Sequence, residues 1–597
     1  MRDMGEGARC VRRAILSACA ALAAGLALSP APAGATPLPA HLAPASPFPH
    51  VIASELTHET IAPGIERADY RILTMAGPLH IAMVIADPAN PWVRFDTVLA
   101  HDALGGELET VTSMALRTGA VGGINGDYYA VGAGRAPLGL VVRSGEILHA
   151  GGARPAFAIR RDGSVRIGPF DARGALDGVV TAIGGGPVLL QNDRIADDSG
   201  STNYAERAMR IPASVLVRFA SRKIGLVVID GRSPAHSIGV NRAELVALLR
   251  SLGAADALLL DSGGSATLVA RVLGQEHPSI ANVPSDGEQR PVANGLFVYS
   301  DAPLGPPAAL VVRPARVTAL PAVRVRLASR LVDAAGHALG DAHGAWHIRG
   351  SGDIARVDPS GVLQAGSRSG SGVLRLERDG VAAVVPVRVV RNVARLTIGP
   401  AHANPSSGQR LALTLGAWDA RGARVAVGDH VKWSARNARI DRRGRLDVAD
   451  GDAFVTARVG HATASVRIPV GWHVVPFPVA TRIRYDFSNG GRAAYARAVP
   501  PRVAGTLLAV ACDVTGDGNG EALRLAFTDR FGARESVTLA PAIDFTGVRR
   551  LSIGGLVGLA PPLALRDVYV VGTLAVPAIR AAGSVGVEHC TATLAGA

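Results

Sequence analysis

Two apolar segments, each ending on an aspartate and separated by a helix-like segment, most constrain how this chain of 597 residues folds. "KIGLVVID" ends at Asp230 and "DALLLD" ends at Asp261, and both have the length and composition of buried strands. "NRAELVALLRSLGA" (241–254) carries leucines at the spacing of one helix face. Strand, helix and strand in this order predict a βαβ unit with parallel strands and a right-handed crossover.

The sequence also marks both ends of that helix. Asn241 is a good N-cap, and Glu244 three residues later completes a capping-box pattern. Gly253 is a good C-terminal stop. The helix should therefore run over 242–252.

The region around this unit alternates strand-like and helix-like segments. "HIAMVIAD" (80–87) is strand-like, whereas "ETVTSMALRTGA" (109–120) is helix-like. The mixture predicts an α/β or α+β domain over residues 36–303, and we expect the latter, a mixed sheet with helices. A chain of this length needs several such domains.

Beyond residue 300 the helical periodicity largely disappears and the sequence repeats itself. Residues 331–366 match 417–451, and both run from an aspartate through a glycine turn to a tryptophan and a second Asp-Gly turn. A repeat of this size with short strands predicts tandem β-sandwiches over 304–392 and 393–474. These segments resemble bacterial Ig-like domains.

The last predicted domain, 475–597, is again rich in strand-like segments and resembles a jelly-roll carbohydrate-binding module. Its "DGNGE" (517–521) alternates oxygen-bearing side chains, which is the pattern of a calcium loop and equally that of a plain hairpin turn. No cofactor is certain from the sequence, and calcium is the one it suggests.

The N-terminus predicts export. Residues 1–35 combine arginines, an apolar run and a final Ala-Gly-Ala, which is the pattern of a cleaved signal peptide. No later run is long and apolar enough to span a bilayer, so we expect a secreted or periplasmic protein. Removal of the signal leaves Cys512 and Cys590 as the only cysteines, and an oxidising compartment would allow them to pair.

The charge pattern argues against a nucleic-acid partner. The net charge of +13 is almost all arginine, as a GC-rich genome would produce, and aromatic residues make up 4% of the chain. A nucleic-acid groove needs clustered charge and stacking rings, and no run of five basic residues exists. Scattered arginines suit an anionic polymer outside the cell, such as a cell-surface polysaccharide.

The two strand-ending aspartates locate the candidate site. Parallel strands bring Asp230 and Asp261 to one edge of the sheet, where open sheets bind ligands. "SGGS" (262–265) follows Asp261 directly, and its glycines let backbone amides approach an anion while its serines add donors. The alternative is that both aspartates cap loops and that "SGGS" is a tight turn.

Three further segments of the same region are rich in glycine and polar residues: "GGINGDYYA" (122–130), "IGGGPVLL" (183–190) and "NVPSDGEQRPVANG" (282–295). In this order, and together with Asp-Gly-Arg at 230–232 and Asp-x-Gly-Gly-Ser at 261–265, they resemble the phosphodiester glycosidase family. The resemblance covers roughly residues 55–300. It implies hydrolysis of a sugar-1-phosphodiester into a sugar and a phosphomonoester.

The resemblance also implies roles for individual residues. Asp261 would be the base or nucleophile, with Asp230 or Glu288 as its partner. Substrate contacts would come from Asn125, Asp127, Gly185, Gly186, Arg210, Arg232, Gly263, Gly264, Ser265, Asn282, Asp286 and Arg290. Whether a metal takes part is left open.

The chain departs from the family pattern at two places. Ser262 replaces a glycine of the usual loop, and Arg210 is the nearest counterpart of an arginine in a segment that otherwise differs. The alternative function is a non-catalytic glycan-binding or exopolysaccharide-associated surface protein. In either case the expected partner is a glycan or a sugar-phosphate polymer.

Overall fold

The computed structural model describes residues 38–595 except 130–133, 153, 171–175, 197–209, 234–235, 287, 343–344, 351–353, 379, 400–404, 406, 489–492, 498–501, 529–533, 555–560 and 573–581. The predicted signal peptide lies outside the described residues. No helix among the described residues has the length and apolar character needed to cross a membrane.

The N-terminal half consists mainly of strands. In chain order, β1 to β18 are Val51–Ala62, Ile65–Thr74, Gly77–Ala86, Val93–Leu99, Gly122–Asn125, Val141–Arg143, Glu146–His149, Pro155–Arg160, Val165–Pro169, Val179–Gly184, Val188–Gln191, Arg194–Ile195, Ala213–Phe219, Ile224–Ile229, Ala254–Leu259, Leu268–Ala270, Ser279–Ile280 and Asn294–Ser300.

These strands form three sheets. Sheet I has the order β1-β2-β3-β14-β13-β15-β11-β12, sheet II the order β17-β16-β5-β18-β4, and sheet III the order β7-β6-β10-β8-β9. Apolar side chains of all three sheets meet in one core, which includes Val84, Leu226, Leu258, Ile124 and Phe157. Burial of this shared face holds the sheets together.

Two α-helices accompany these sheets in the described part of the chain. Helix α1 is Val111–Thr118 and packs on sheet II through Met114 and Ala115. Helix α2 is Arg242–Ser251 and packs against β15. The predicted capping box at its N-terminus is confirmed, since Asn241 accepts from the backbone of Glu244 and Glu244 reaches back.

The sequence prediction of an α+β domain with a mixed sheet is only partly right. Every recorded strand pair of sheets I to III is antiparallel, so the expected mixed sheet is not observed among these pairs. With two α-helices beside three sheets, a helix-containing α+β domain is not confirmed. Strands β14 and β15 do run in the same direction, but β13 lies between them and is antiparallel to both. The unit is therefore not a simple βαβ, because a strand from earlier in the chain supplies the central hydrogen bonds.

The C-terminal half contains only strands and one short 3-10 helix in its described residues. Strands β19 to β46 are Pro307–Arg313, Val317–Ala319, Arg324–Arg326, Ala328–Asp333, Ala338–Asp341, Ala345–Gly350, Ala355–Val357, Val362–Ala365, Gly370–Arg378, Val381–Val389, Arg395–Gly399, Arg410–Ala412, Thr414–Trp418, Lys432–Arg436, Ala438–Ile440, Arg445–Val448, Ala453–Val459, Ala462–Ile468, Trp472–Pro476, Thr481–Asp486, Ala493–Arg497, Arg502–Val503, Leu507–Asp517, Ala522–Thr528, Arg534–Ala540, Thr546–Gly554, Leu563–Val571 and Ala582–Ala595.

The internal repeat has a structural basis in two turns. Asp333 accepts hydrogen bonds from the backbone amides two and four residues later, at 2.9 and 2.8 Å, and Asp419 does the same at 2.9 and 2.9 Å. Asp441, in the second turn of the later copy, repeats the pattern at 2.7 and 2.9 Å. The aspartates are thus turn-forming residues, and their side chains replace backbone acceptors.

The two predicted sandwiches share part of their interior. One apolar cluster contains Leu374 and Val387 from residues 304–392 together with Leu396, Ala417 and Val459 from residues 393–474. The predicted boundary near residue 392 therefore crosses a packed region. The domain limits remain predictions.

The last segment folds into two five-stranded sheets. One has the order β37-β46-β41-β44 with β38 on β46, and the other the order β39-β45-β42-β43 with β40 on β45. Their inner faces form a single apolar core that includes Leu525, Val568 and Val587. A disulfide between Cys512 and Cys590 joins β41 to β46 within this core.

Candidate active site

Asp261 lies at the end of β15, where its backbone is fixed on both sides. Its N–H donates to the carbonyl of Gly126 at 3.0 Å, and its carbonyl accepts from Nδ2 of Asn125 at 2.6 Å. The segment that follows β5 therefore runs alongside the Asp261 loop. Two stretches separated by 136 residues meet at this point.

Asn125 positions Asp261 and is itself fully buried. Its Oδ1 accepts from Oγ of Ser214 at 2.7 Å and from the backbone of Thr267 at 3.0 Å. Because Nδ2 donates to the carbonyl of Asp261, both ends of the Asn125 side-chain amide are hydrogen-bonded inside the protein. The structure does not support the predicted contact of Asn125 with a sugar, because the side chain has no exposed surface.

The two glycines of the loop are each covered by an arginine. A Cβ at Gly263 would lie 3.2 Å from Nη2 of Arg232, and a Cβ at Gly264 would lie 2.0 Å from Nη2 of Arg290. Gly263 also has φ of +69°, a conformation that favours glycine. Two guanidinium groups therefore lie beside the loop, whereas the Gly263 amide, which the predicted anion cradle would use, already donates to the carbonyl of Pro212.

Asp286 and Ser265 hold Arg290 over the loop. Its Nε and Nη2 donate to Oδ2 of Asp286 at 3.0 and 2.6 Å, and Nη1 lies 3.4 Å from Oγ of Ser265. The Arg290–Asp286 pair is exposed, whereas Ser265 is buried. The positive charge thus lies at the mouth of the site rather than beneath it.

The electrostatics of Asp261 suit acid–base chemistry near neutral pH. Burial raises the pKa of its carboxyl to about 6, against the lowering effects of the Ser265 hydroxyl and of Arg290. Asp127 raises it further as a like charge. A carboxyl with such a pKa changes protonation in the range where enzymes work.

Asp127 is the carboxylate that interacts with Asp261. It is 1% exposed, and its Oδ1 accepts from Nη2 of Arg154 at 2.8 Å and from the Tyr128 amide at 2.8 Å. Oδ2 is buried without a hydrogen-bond partner among the described residues. Burial, opposed by Arg154, raises the pKa of Asp127.

Two glycines pack closely against the carboxylate of Asp127, where a larger residue would not fit. A Cβ at Gly139 or Gly184 would lie 2.5 or 2.6 Å from Oδ2 of Asp127. The neighbouring glycines Gly185 and Gly186 donate their amides to the carbonyls of Pro155 and Leu259. The predicted role of Gly185 and Gly186 in substrate binding is therefore not evident, because their amides are already used.

Asp230 lies at the end of β14 in a different cluster. It is 1% exposed, and its carboxylate accepts from His80, His236, Asn282 and the Val283 amide. These donors hold the pKa of Asp230 below its usual value although burial opposes them. Since β13 separates β14 from β15, the two strand ends are about 10 Å apart, or two strand spacings.

Asn282 connects the two clusters. Its Nδ2 donates to Oδ1 of Asp230 at 2.9 Å and to the carbonyl of Ala266 at 3.1 Å, and its Oδ1 accepts from the Leu268 amide. It thus joins Asp230 to the chain that leaves the Asp261 loop. Asn282 is buried, so its role is positional.

Two other predicted residues, Glu288 and Arg210, have no recorded hydrogen bond or ion pair with Asp261 among the described residues, and Ser262 follows Asp261 directly. Glu288 is exposed, and the structure records no ion pair or hydrogen bond for it among the described residues. Arg210 donates through Nε to both oxygens of Glu244, at 3.2 and 3.0 Å, and so stabilises the start of α2. Ser262 accepts from the Ser214 amide and donates to Leu260, which ties the loop to β13.

Sequence reasoning missed four residues near these clusters: His80, Arg154, His236 and Tyr129. The pKa of the Tyr129 phenol is raised by burial and by the charge of Asp261, so this ring lies close to the site. Only Tyr129 carried a local signal, since it belongs to the Asn-Gly-Asp-Tyr-Tyr segment. His80 lies 150 residues from Asp230 and Arg154 lies 27 residues from Asp127, whereas His236 is only six residues from Asp230 but belongs to none of the motifs.

The "DGNGE" segment, for which the sequence suggests calcium, contains a buried carboxylate, since Glu521 is 2% exposed. Burial raises the pKa of Glu521, as does the charge of Asp517, whereas a hydrogen bond from Tyr485 lowers it. Asp517 already accepts from the Tyr485 hydroxyl at 2.8 Å and from the Asn519 and Ser584 amides. Calcium binding here stays a prediction.

The model of the phosphodiester glycosidase family matches residues 118–299. This part of the chain is therefore a phosphodiester glycosidase domain, and it contains Asp127, Asp230 and Asp261. The resemblance drawn from the sequence motifs is confirmed over these residues.

Two curated relatives are N-acetylglucosamine-1-phosphodiester α-N-acetylglucosaminidases. The mouse protein is 26% identical over 220 residues, which cover 34% of this chain and 40% of that protein. The cattle protein is 28% identical over 191 residues, 30% of this chain and 35% of that protein. The chain thus spans about two fifths of the length of these relatives or less.

A solved structure of the catalytic domain of the zebrafish enzyme, auto-inhibited by its pro-peptide, has 20% sequence identity and a TM-score of 0.30. It covers 44% of this chain and 87% of that chain.

Proposed function

We propose that the chain is a glycosidase that hydrolyses sugar-1-phosphodiester bonds. The observation that carries the proposal is the Asp261 loop, in which a carboxyl with a pKa of about 6 is followed by two glycines that two arginines cover. The family match at 118–299 gives the reaction class. N-acetylglucosamine-1-phosphodiesters are the first substrates to test, because the curated relatives are named for them.

The reaction breaks the bond between the anomeric carbon and the phosphodiester oxygen. Ionised Asp261 either removes a proton from the attacking water or attacks the anomeric carbon itself. Asp127, whose own pKa is raised by burial, lies near enough for its charge to raise the pKa of Asp261. The products are a free sugar and a phosphomonoester.

The negative charge of the leaving group gives the two arginines beside Asp261 a role in the reaction. A phosphate carries its negative charge away and needs charge stabilisation more than a strong proton donor. Arg232 over Gly263 and Arg290 over Gly264 provide that stabilisation beside Asp261. Displacement of Arg290 from Asp286 by a phosphate would exchange one charge-assisted hydrogen bond for another.

We propose that the substrate lies outside the cytoplasm. The predicted signal peptide at 1–35 and the Cys512–Cys590 disulfide both suit an exported protein. The strand-rich C-terminal half would then hold a glycan or a cell-surface polysaccharide near the glycosidase domain. As the specific substrate we propose a sugar-phosphate polymer.

A substrate screen tests the activity. Purified protein is incubated with a panel of sugar-1-phosphodiesters, and released sugar and phosphomonoester are both quantified. We expect turnover that Asp261→Asn abolishes, whereas Asp301→Asn, a surface control in the same domain, retains it.

A negative result in that screen would be informative. If every panel compound bound but none was cleaved, the chain would be a glycan-binding protein with an inactive glycosidase domain. Equilibrium binding of the same compounds, measured by calorimetry, separates this outcome from a failure to bind.

A further inference from the structure

His80, Asp230 and His236 bring three ligand-type atoms together on sheet I. Nδ1 of His80 lies 2.7 Å from Oδ2 of Asp230, and Nε2 of His236 lies 2.8 Å from the same oxygen. All three atoms lie within 4.8 Å of one another. The residues come from β3, from the end of β14 and from the loop that follows it, so only the fold assembles the set.

We propose that these three residues bind a divalent transition-metal cation of the zinc type. Two imidazole nitrogens and one carboxylate oxygen are a ligand set that zinc and its neighbours favour. A tetrahedral cation with bonds of about 2.1 Å needs its ligands about 3.4 Å apart. Each nitrogen therefore needs to move away from Oδ2 by roughly 0.6 to 0.7 Å.

The surrounding residues orient the ligands as metal sites require. Nε2 of His80 lies 3.6 Å from Oδ1 of Asp69, on the side of the ring away from Asp230. Oδ2 of Asp69 in turn accepts from Nε of Arg67 at 3.0 Å. A carboxylate behind a ligating histidine fixes the tautomer that leaves the opposite nitrogen free to bind metal.

The carboxylate ligand is equally well held. Oδ1 of Asp230 accepts from Nδ2 of Asn282 at 2.9 Å and from the Val283 amide at 3.0 Å. Its backbone carbonyl accepts from Oγ of Ser237 at 2.6 Å. The Val283 amide also lies 3.0 Å from Oδ2, the oxygen that faces both histidines and would bind the cation.

The side chains of the three ligands differ in exposure, and the most exposed one marks the route by which a cation would enter. The side chains of His80 and Asp230 are 7% and 1% exposed, whereas that of His236 is 30% exposed. A cation would enter past His236, and a fourth ligand from solvent would complete the site on that side. This arrangement of three protein ligands with one open position is that of zinc sites which bind an exchangeable ligand.

The alternative is that the two histidines carry protons and that no metal ion binds to the cluster. Both imidazoles would then donate to Asp230, and the cluster would be a hydrogen-bonded network without metal. The two explanations differ in whether the protein takes up a cation, so metal binding decides between them without any activity assay.

The experiment uses untagged protein treated with a chelator and then titrated with Co²⁺ and Zn²⁺. We expect one equivalent of Co²⁺ to give visible absorption bands that Zn²⁺ displaces. His236→Gln should abolish these bands, because it removes a ligand at the partly exposed position and so should leave the fold intact. Circular dichroism and thermal melting confirm folding.

Two further variants sharpen the result. His58→Gln is the matched control, because His58 also pairs with a carboxylate, that of Glu66, outside the cluster. Asp69→Asn should weaken binding about 10- to 100-fold while the stoichiometry stays the same. Absence of Co²⁺ binding in the parent protein, or bands unchanged in His236→Gln, would overturn the proposal.

Discussion

Arg290 occupies the space that any side chain at Gly264 would need, since a Cβ there would lie 2.0 Å from its Nη2. Gly264→Ala should therefore displace Arg290, and with it Asp286, from the loop. Because Gly264 has no positive φ, the substitution adds no backbone strain, and the fold should survive. We expect kcat/KM to fall by about 10- to 100-fold, the effect of losing one or two charge-assisted contacts to phosphate.

Gly253→Ala is a useful comparison for that variant. Its Cβ would meet nothing within 4 Å, but its φ is +84°. This change should therefore lower the melting temperature and leave kcat/KM unaffected. Equal losses of activity in both variants would show that Gly264 acts through stability alone.

The pH dependence of the rate should report on Asp261. The base or nucleophile must be ionised, so kcat/KM should rise with pH through about 6, the raised pKa of Asp261, and then level off. Arg290 lowers this pKa, so Arg290→Gln should move the rising limb to higher pH. A rate that instead falls through pH 6 would identify Asp261 as a general acid.

The same carboxyl should affect stability in the opposite sense. Its pKa is about 6 in the folded chain and 3.8 as a free carboxyl, so between these values the folded state binds more protons than the unfolded state. The contribution of Asp261 to stability therefore falls as pH rises from about 4 to about 6. Asp261→Asn should raise the melting temperature at pH 7 and change it little at pH 4.

Calcium should stabilise the C-terminal sheets. A bound ion would compensate the buried carboxylate of Glu521, which is 2% exposed and lies beside Asp517. We expect millimolar calcium to raise the melting temperature and a chelator to lower it, with magnesium less effective. Glu521→Gln should abolish the calcium response. A response that persists in this variant would place the ion elsewhere.

The disulfide should be worth a large part of the stability of the same region. Cys512 and Cys590 are 78 residues apart in the sequence, and closing a loop of this length is worth about 4 kcal/mol in the chain-entropy model. The double variant Cys512→Ala/Cys590→Ala should therefore unfold at clearly lower denaturant concentration. Its glycosidase activity on a small substrate should remain, since Asp261 lies outside the apolar core that contains the disulfide.

The sequence by itself determined the local elements. Helix α2 and its capping box were predicted because both depend on residues within a few positions of one another. The strands that end before Asp230 and Asp261 were predicted because apolar runs of that length are buried. The loop of residues 261–265 was predicted from its glycine pattern, and the family resemblance named Arg232 and Arg290 as its phosphate contacts.

Only the tertiary structure decided which of these elements lie side by side. Strand β13 separates β14 from β15, so Asp230 joins His80, which lies 150 residues earlier, and Asp261 joins Asp127 and Asn125 instead. Such pairings depend on how the whole core is buried, and no periodicity or cap within a segment reports them. For the same reason His80 carried no signal in the sequence: its significance comes from Asp230 and Asp69, which only the fold brings to the two sides of its ring.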